Sequence, residues 1–249
     1  MKKTGIILKR DFRELKQTNT FLIISIVFAV ITIAIAVSVS IVLSKQEWVG
    51  QKAAEPVLEI IISLIAYFLP LAILMTFIWA FSSLPVVKEK VNGNIASLIA
   101  TTLTPKEIWL GKSLAIFIPG YIISIISTMI VLLTVNLSVI VPATGNFLLP
   151  LPLFLTSLIF DPLLLFGLLL FIILISLAYN PDIAITPSFL LGFGLMMGVP
   201  LGMAVGAINL ASWSFSLWYL MGVIIVWIIV LLLTRLLTKE KIILSAKGG

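Results

Sequence analysis

The 249-residue sequence has no cysteine and no histidine, and only 10% of it is charged. Without those two residue types there are no disulfides, thiol nucleophiles, Cys/His zinc sites, haem attachment motifs or imidazole bases. Most intramembrane hydrolases lose their chemistry at this point. The scarcity of charge, against about 25% in soluble domains, excludes a second class. A chain that is 61% hydrophobic, with a mean hydropathy of +1.26, cannot cover itself with polar surface in water. Lipid is its solvent over most of its area, and a soluble enzyme is excluded. No segment matches Gly-x-x-x-x-Gly-Lys-Ser/Thr, so the chain has no P-loop for a nucleotide. No cleavable signal peptide is expected. The first 19 residues are too charged, and the apolar stretch from Thr20 to Leu43 is too long and ends without a small-residue cleavage pattern.

What is present is a set of long uncharged runs, from Gln17 to Ser44, Ile60 to Val87, Ser113 to Phe160, Pro162 to Pro181 and Ile183 to Thr234. A membrane helix needs roughly 20 residues, so the last run holds two spans, divided near Asn209 to Ser212. The run from Ser113 holds one span to about Val135. It is followed by a proline-rich stretch with Pro142, Pro150 and Pro152 that reads as an outer interfacial or re-entrant segment over 136–161. Asp161-Pro162 reads as an N-cap and N1 proline opening the next span, because a carboxylate at the bilayer centre costs at least about 2.5 kcal/mol. The expectation is an all-α integral membrane protein in one domain, with spans at about 20–43, 58–86, 112–135, 162–179, 185–208 and 215–236. No charge is then buried within a span, and a proton relay lacks its usual residues.

Basic residues orient these spans. With the N-terminus in the cytoplasm, the inner segments hold 14 of the 16 lysines and arginines, leaving Lys45 and Lys52 outside. Both termini are then cytoplasmic in a multi-pass plasma-membrane protein. The net charge of +6 is a topology signal and implies no nucleic acid. Trp48, Trp213, Trp218 and Tyr219 fall at the outer interface as an aromatic belt.

Residues 1–19 form an amphipathic helix, with Leu8, Phe12 and Leu15 on one face and Lys9, Arg10, Arg13 and Lys16 around the rest. It lies on the inner leaflet, either as a topology anchor or as a working part, and Asn19 or Thr20 caps the first span. The cytoplasmic loop 88–111 contains a short helix: Asn92-Gly93 breaks the second span, Asn94 caps, and Ile95, Leu98 and Ile99 share a face. Thr104 then caps a new helix with Pro105 at N1 and Glu107 at N3.

This loop resembles the signature region of type-2 ABC transporter permeases. The matching residues are Lys88-Glu89-Lys90, Gly93, Leu98, Thr101, Leu103-Thr104-Pro105, Glu107-Ile108 and Gly111-Lys112, with departures at Asn94, where Thr is usual, and Thr102, where Pro is usual. The resemblance implies that residues 94–103 are a coupling helix seated on a separate P-loop ATPase, which would bind ATP and Mg. Glu89, Gly93, Asn94, Ile95, Leu98, Ile99, Thr101 and Leu103 would make that contact. Leu8, Arg10, Phe12 and Arg13 would belong to a connecting helix, with Glu89 as a partner for Arg10 or Arg13 or else a solvated charge. The chain itself would carry no cofactor, no metal and no catalytic residue.

Gly194, Gly198, Gly202 and Gly206 recur every four residues through the fifth span and put one narrow stripe on a helix face. The stripe serves packing within the chain or, by the resemblance, contact with a second permease, identical or related. Pro70 and Pro200 lie inside spans and permit kinks. Glu55 and Glu59 share a helix face at the outer mouth, as a cation site or as the limit of the membrane. Tyr67, Phe68, Met75 and Phe77 in the second span, with Phe193, Met196, Met197 and Met203 in the fifth, line a weakly polar pathway or pack the core. The expected function is the permease subunit of an ATP-driven exporter of a hydrophobic, amphipathic or peptide-like cargo. The alternative is a membrane scaffold that recruits a cytoplasmic complex and moves nothing.

Overall fold

The computed structural model describes residues 2–51, 54–82, 102–179 and 181–247, and all the regular structure in them is helical. An N-terminal helix, α1 (Lys2–Lys16), turns at Gln17 into α2 (Asn19–Ser44). Thr18 makes the cap, its hydroxyl accepting from Phe21 N at 3.2 Å, in place of Asn19 or Thr20 expected from the sequence. A 3-10 turn at Glu47–Gly50 leads to α3 (Glu55–Phe81), α4 (Pro105–Thr144), α5 (Leu151–Ala178), α6 (Pro181–Ala204), α7 (Trp213–Leu233) and α8 (Lys239–Lys247).

Five of these are long and apolar enough to cross a membrane: α2, α3, α4, α5 and α7, the last continued to Leu236. The protein is an all-helical, multi-pass membrane protein. Helix α6, expected as the fifth of six spans, counts as a shorter apolar helix over Ser188–Ala204. The helices run up and down with α5 at the centre: 67% of its most apolar window is buried, against 17% for α2 and for α7. Leu22, Ile26, Ile33 and Val37 of α2, and Leu217, Ile224, Ile228 and Leu231 of α7, lie exposed, the faces that lipid covers.

The segment 136–161, expected to be interfacial or re-entrant, folds as a helical hairpin. Helix α4 passes through a π turn at Asn136–Ile140 and continues to Thr144, where Gly145 adopts φ +76° and ends it. Asn136 braces the hairpin, accepting from Leu148 N at 2.9 Å and donating to Leu132 O at 3.0 Å. The chain then re-enters a helix at Leu151 and passes a second π turn at Thr156–Phe160. In each case a proline, Pro142 or Pro162, follows the π turn two residues later.

A proline in a helix lacks one N–H and crowds the carbonyl four residues back. A π turn inserts one residue at that place, so the helix continues where a break would be expected. At the second turn the Asp161 N–H bonds Thr156 O, five residues back. Leu158 O, deprived of a donor at Pro162, accepts from Tyr121 Oη of α4 at 2.9 Å. Asp161 is therefore not an N-cap. It lies ten residues inside a 28-residue helix, about 15 Å from its start at 1.5 Å per residue.

Candidate functional site

Two places in the bundle concentrate polar chemistry: the joint between α1 and α4, and a buried cluster around Asp161.

At the joint, the start of α4 is fixed by a capping box. Thr104 Oγ1 accepts from Glu107 N at 3.3 Å, and Glu107 Oε2 accepts from Thr104 N at 2.8 Å, as the Thr-Pro-Lys-Glu spacing predicts. One turn further, Gly111 lies under Ile7 of α1. A Cβ at Gly111 would come within 2.8 Å of the Ile7 side chain, so glycine is what permits this approach. Its neighbour Lys112 is 3% exposed, and its Nζ donates to Asp11 Oδ2 at 3.2 Å. Asp11 Oδ1 is held in turn by Arg10, at 2.7 Å from Nη2.

The buried face of α1 therefore carries Ile7 and Leu15, with Asp11 between them, while Leu8 is half-buried and Phe12 exposed. The apolar stripe read from the sequence, Leu8, Phe12 and Leu15, shares only Leu15 with this face, because the buried face carries a charged residue, Asp11, that finds its partner on α4. Arg10 and Arg13, with Lys9, Glu14 and Ile6, line an open groove of about 510 Å³. Of the loop residues assigned to a partner contact, Glu89, Gly93, Asn94, Ile95, Leu98, Ile99 and Thr101 lie outside the described residues. Leu103 is half-buried against the core.

The second place is legible only in three dimensions. Asp161 has no solvent exposure, and Tyr219 Oη of α7 donates to its Oδ1 at 2.5 Å. Tyr219 is thus an interior residue and not part of an aromatic belt. Tyr67 of α3 packs edge-on against both Tyr219 and Phe215, with ring centroids 6.2 and 6.0 Å apart. Its hydroxyl is buried and meets no partner in hydrogen-bonding geometry. Asp161 Oδ2 is equally buried and unpartnered, as is Ser63 Oγ one turn along α3.

Below this group the Thr156 and Ser216 hydroxyls meet at 2.7 Å, each 2.9 Å from Pro152 O, so that one donates to the other and the other to that carbonyl. These bonds tie α5 to α7 at the hairpin end. The expectation that no charge is buried in the spans is thus overturned at Asp161. Lys112 is a second buried charge, at the start of α4.

The residues proposed to line a pathway divide between two environments. Tyr67, Met75 and Phe77 are fully buried in the bundle and Phe68 half-buried, whereas Phe193 and Met197 are exposed and Met196 and Met203 half-buried. Phe77 packs against Phe21 and Phe81 and fills the space over Gly120.

The glycine stripe is also heterogeneous. Gly194 and Gly198 face open space, Gly202 lies under Ile208 of the following turn, and Gly206, at φ +73°, is past the end of α6. The glycine that lets α6 approach α3 is Gly192, where a Cβ would overlap Met75 Cε and meet Trp79. It was missed because it lies off the four-residue repeat. No protein-family model, curated protein or solved structure matches this chain.

Proposed function

We propose that the chain is the membrane-spanning subunit of an ATP-driven exporter of the type-2 ABC permease kind. It would sit in the cytoplasmic membrane with both termini inside and α6 as the fifth of six spans. Two copies, or this chain with a related one, would bind two P-loop ATPase subunits. ATP-driven closure of the ATPases reaches the spans through residues 94–103, and the cleft changes from inward to outward facing. The cargo class is hydrophobic, amphipathic or peptide-like.

One observation carries the reading. Four residues of the resembled motif have a mechanical role at one joint: Thr104 and Glu107 fix the start of α4, Gly111 admits Ile7, and Lys112 bonds Asp11. A push on the loop before Thr104 is thereby delivered to α1 and α4 together, as a coupling element requires.

The test is affinity purification of the full chain from its native membrane in mild detergent, with mass spectrometry of co-purifying proteins and Leu98→Asp as the control. Recovery of a P-loop ATPase that is lost in the variant supports the reading. A well-folded sample that brings no ATPase sinks it and leaves the scaffold as the function to test.

A further inference from the structure

Asp161 presents an imbalance that the export reading does not use. Its carboxylate is fully buried in the apolar centre of the bundle, and among the described residues it makes no ion pair. A negative charge in such surroundings must be neutralised by something that enters the site. Tyr219 supplies one hydrogen bond, to Oδ1, and leaves Oδ2 open.

Two further oxygens are left over beside it. Tyr67 Oη is buried and unpartnered on α3. On α5 itself, the π turn sends the Asp161 N–H to Thr156 O, so Ser157 O, one turn before the carboxylate on the same face, loses its usual helix donor. An unpartnered carboxylate oxygen, a buried phenol oxygen on the ring packed against its tyrosine partner, and a backbone carbonyl one turn earlier on α5 are hard oxygen ligands.

We propose that Asp161 Oδ2, with Tyr67 Oη and Ser157 O, binds a small monovalent cation, H⁺ or Na⁺, within the membrane. Tyr219 is the positioning residue that fixes the carboxylate. The titratable groups facing the site are Tyr67 from α3 and Tyr219 from α7, with Tyr121 of α4 one turn away at Leu158 O. Neither lysine nor arginine among the described residues is paired with it. This proposal is independent of the export reading and of any ATPase.

The experiment uses the purified full chain in detergent at fixed pH and ionic strength, titrating NaCl against choline chloride and following the melting temperature. Infrared spectra of the same samples report the carboxylic-acid C=O stretch. A Na⁺ site raises Tm with the logarithm of Na⁺ concentration above half-saturation, an effect absent in Asp161→Asn. A proton site gives no Na⁺ response and shows an acid C=O band that Asp161→Asn removes.

Tyr67→Phe keeps the ring packing and serves if the first variant does not fold. It should raise the half-saturating Na⁺ concentration at least threefold, or move the frequency of the acid band. The proposal is overturned if wild type shows neither signal, if the signal survives Asp161→Asn, or if Tyr67→Phe leaves it unchanged.

Discussion

Tyr219 Oη and Asp161 Oδ1 meet at 2.5 Å across the interface of α5 and α7, 58 residues apart in sequence. A hydrogen bond is electrostatically stronger where water is excluded, and losing one partner there leaves the other unsatisfied. Tyr219→Phe leaves the carboxyl without its donor and should cost roughly 1.5–3 kcal/mol, measured by thermal unfolding in detergent. Tyr219→Phe and Asp161→Asn together should cost less than the sum of the two, by at least about 0.5 kcal/mol. Strict additivity would mean that the bond contributes nothing.

Tyr121 serves a carbonyl that Pro162 leaves without a donor. Tyr121→Phe should therefore destabilise the chain by about 1 kcal/mol. The combination with Pro162→Ala, which restores an N–H to the helix, should recover part of the loss. Chemical denaturation of the two variants and their double mutant decides it; no recovery would detach Tyr121 from the proline.

Lys112 and Asp11 join α4 to α1 across 101 residues of sequence. Removing one partner of a buried pair leaves the other charge uncompensated, at a cost of roughly 3–5 kcal/mol. Asp11→Asn should approach that range, because it takes the carboxylate charge from beside Lys112, which is 3% exposed. Lys112→Met should cost less, because Asp11 is 12% exposed and keeps Arg10 on its other oxygen. Limited proteolysis in the Gln17 turn should report α1 released from the bundle in the first variant before the second.

Gly192 and Gly198 lie six residues apart on α6 and should respond oppositely. Gly192→Ala drives a Cβ into Met75 and Trp79 and should cost about 1–3 kcal/mol. Gly198 faces open space, so Gly198→Ala should be neutral or should stabilise α6 by up to about 1 kcal/mol. Melting temperatures of the two variants in the same detergent are sufficient. Equal destabilisation would show that an unseen neighbour occupies the Gly198 side.

The membrane class, the helical content and the cap at Thr104 were legible in the sequence because each depends on neighbours within a few residues. Asp161 was not. Asp-Pro is a strong local signature of a helix start, and the rule that a charge marks the membrane boundary agreed with it. The π turn overrode both.

A signal was nevertheless present. Ser63 and Tyr67, Ser124 and Thr128, and Ser216 and Tyr219 fall at three- or four-residue spacing inside otherwise apolar runs. Polar pairs on one face of several spans point to a shared interior. Lys112 was counted as a topology marker for a related reason: its partner is too distant in sequence for any local pattern to reveal.

The π turn at Thr156–Phe160 also sets the angular phase of the central helix. One residue more or less in an α-helix rotates everything beyond it by about 100°. Deleting Leu158 would leave the composition and hydropathy of α5 almost unchanged and turn Asp161 from its pocket toward a different neighbour. In this segment, length variation is a more drastic change than most substitutions. Related chains that keep the buried carboxylate must keep the residue count between Leu151 and Asp161 as strictly as they keep the aspartate.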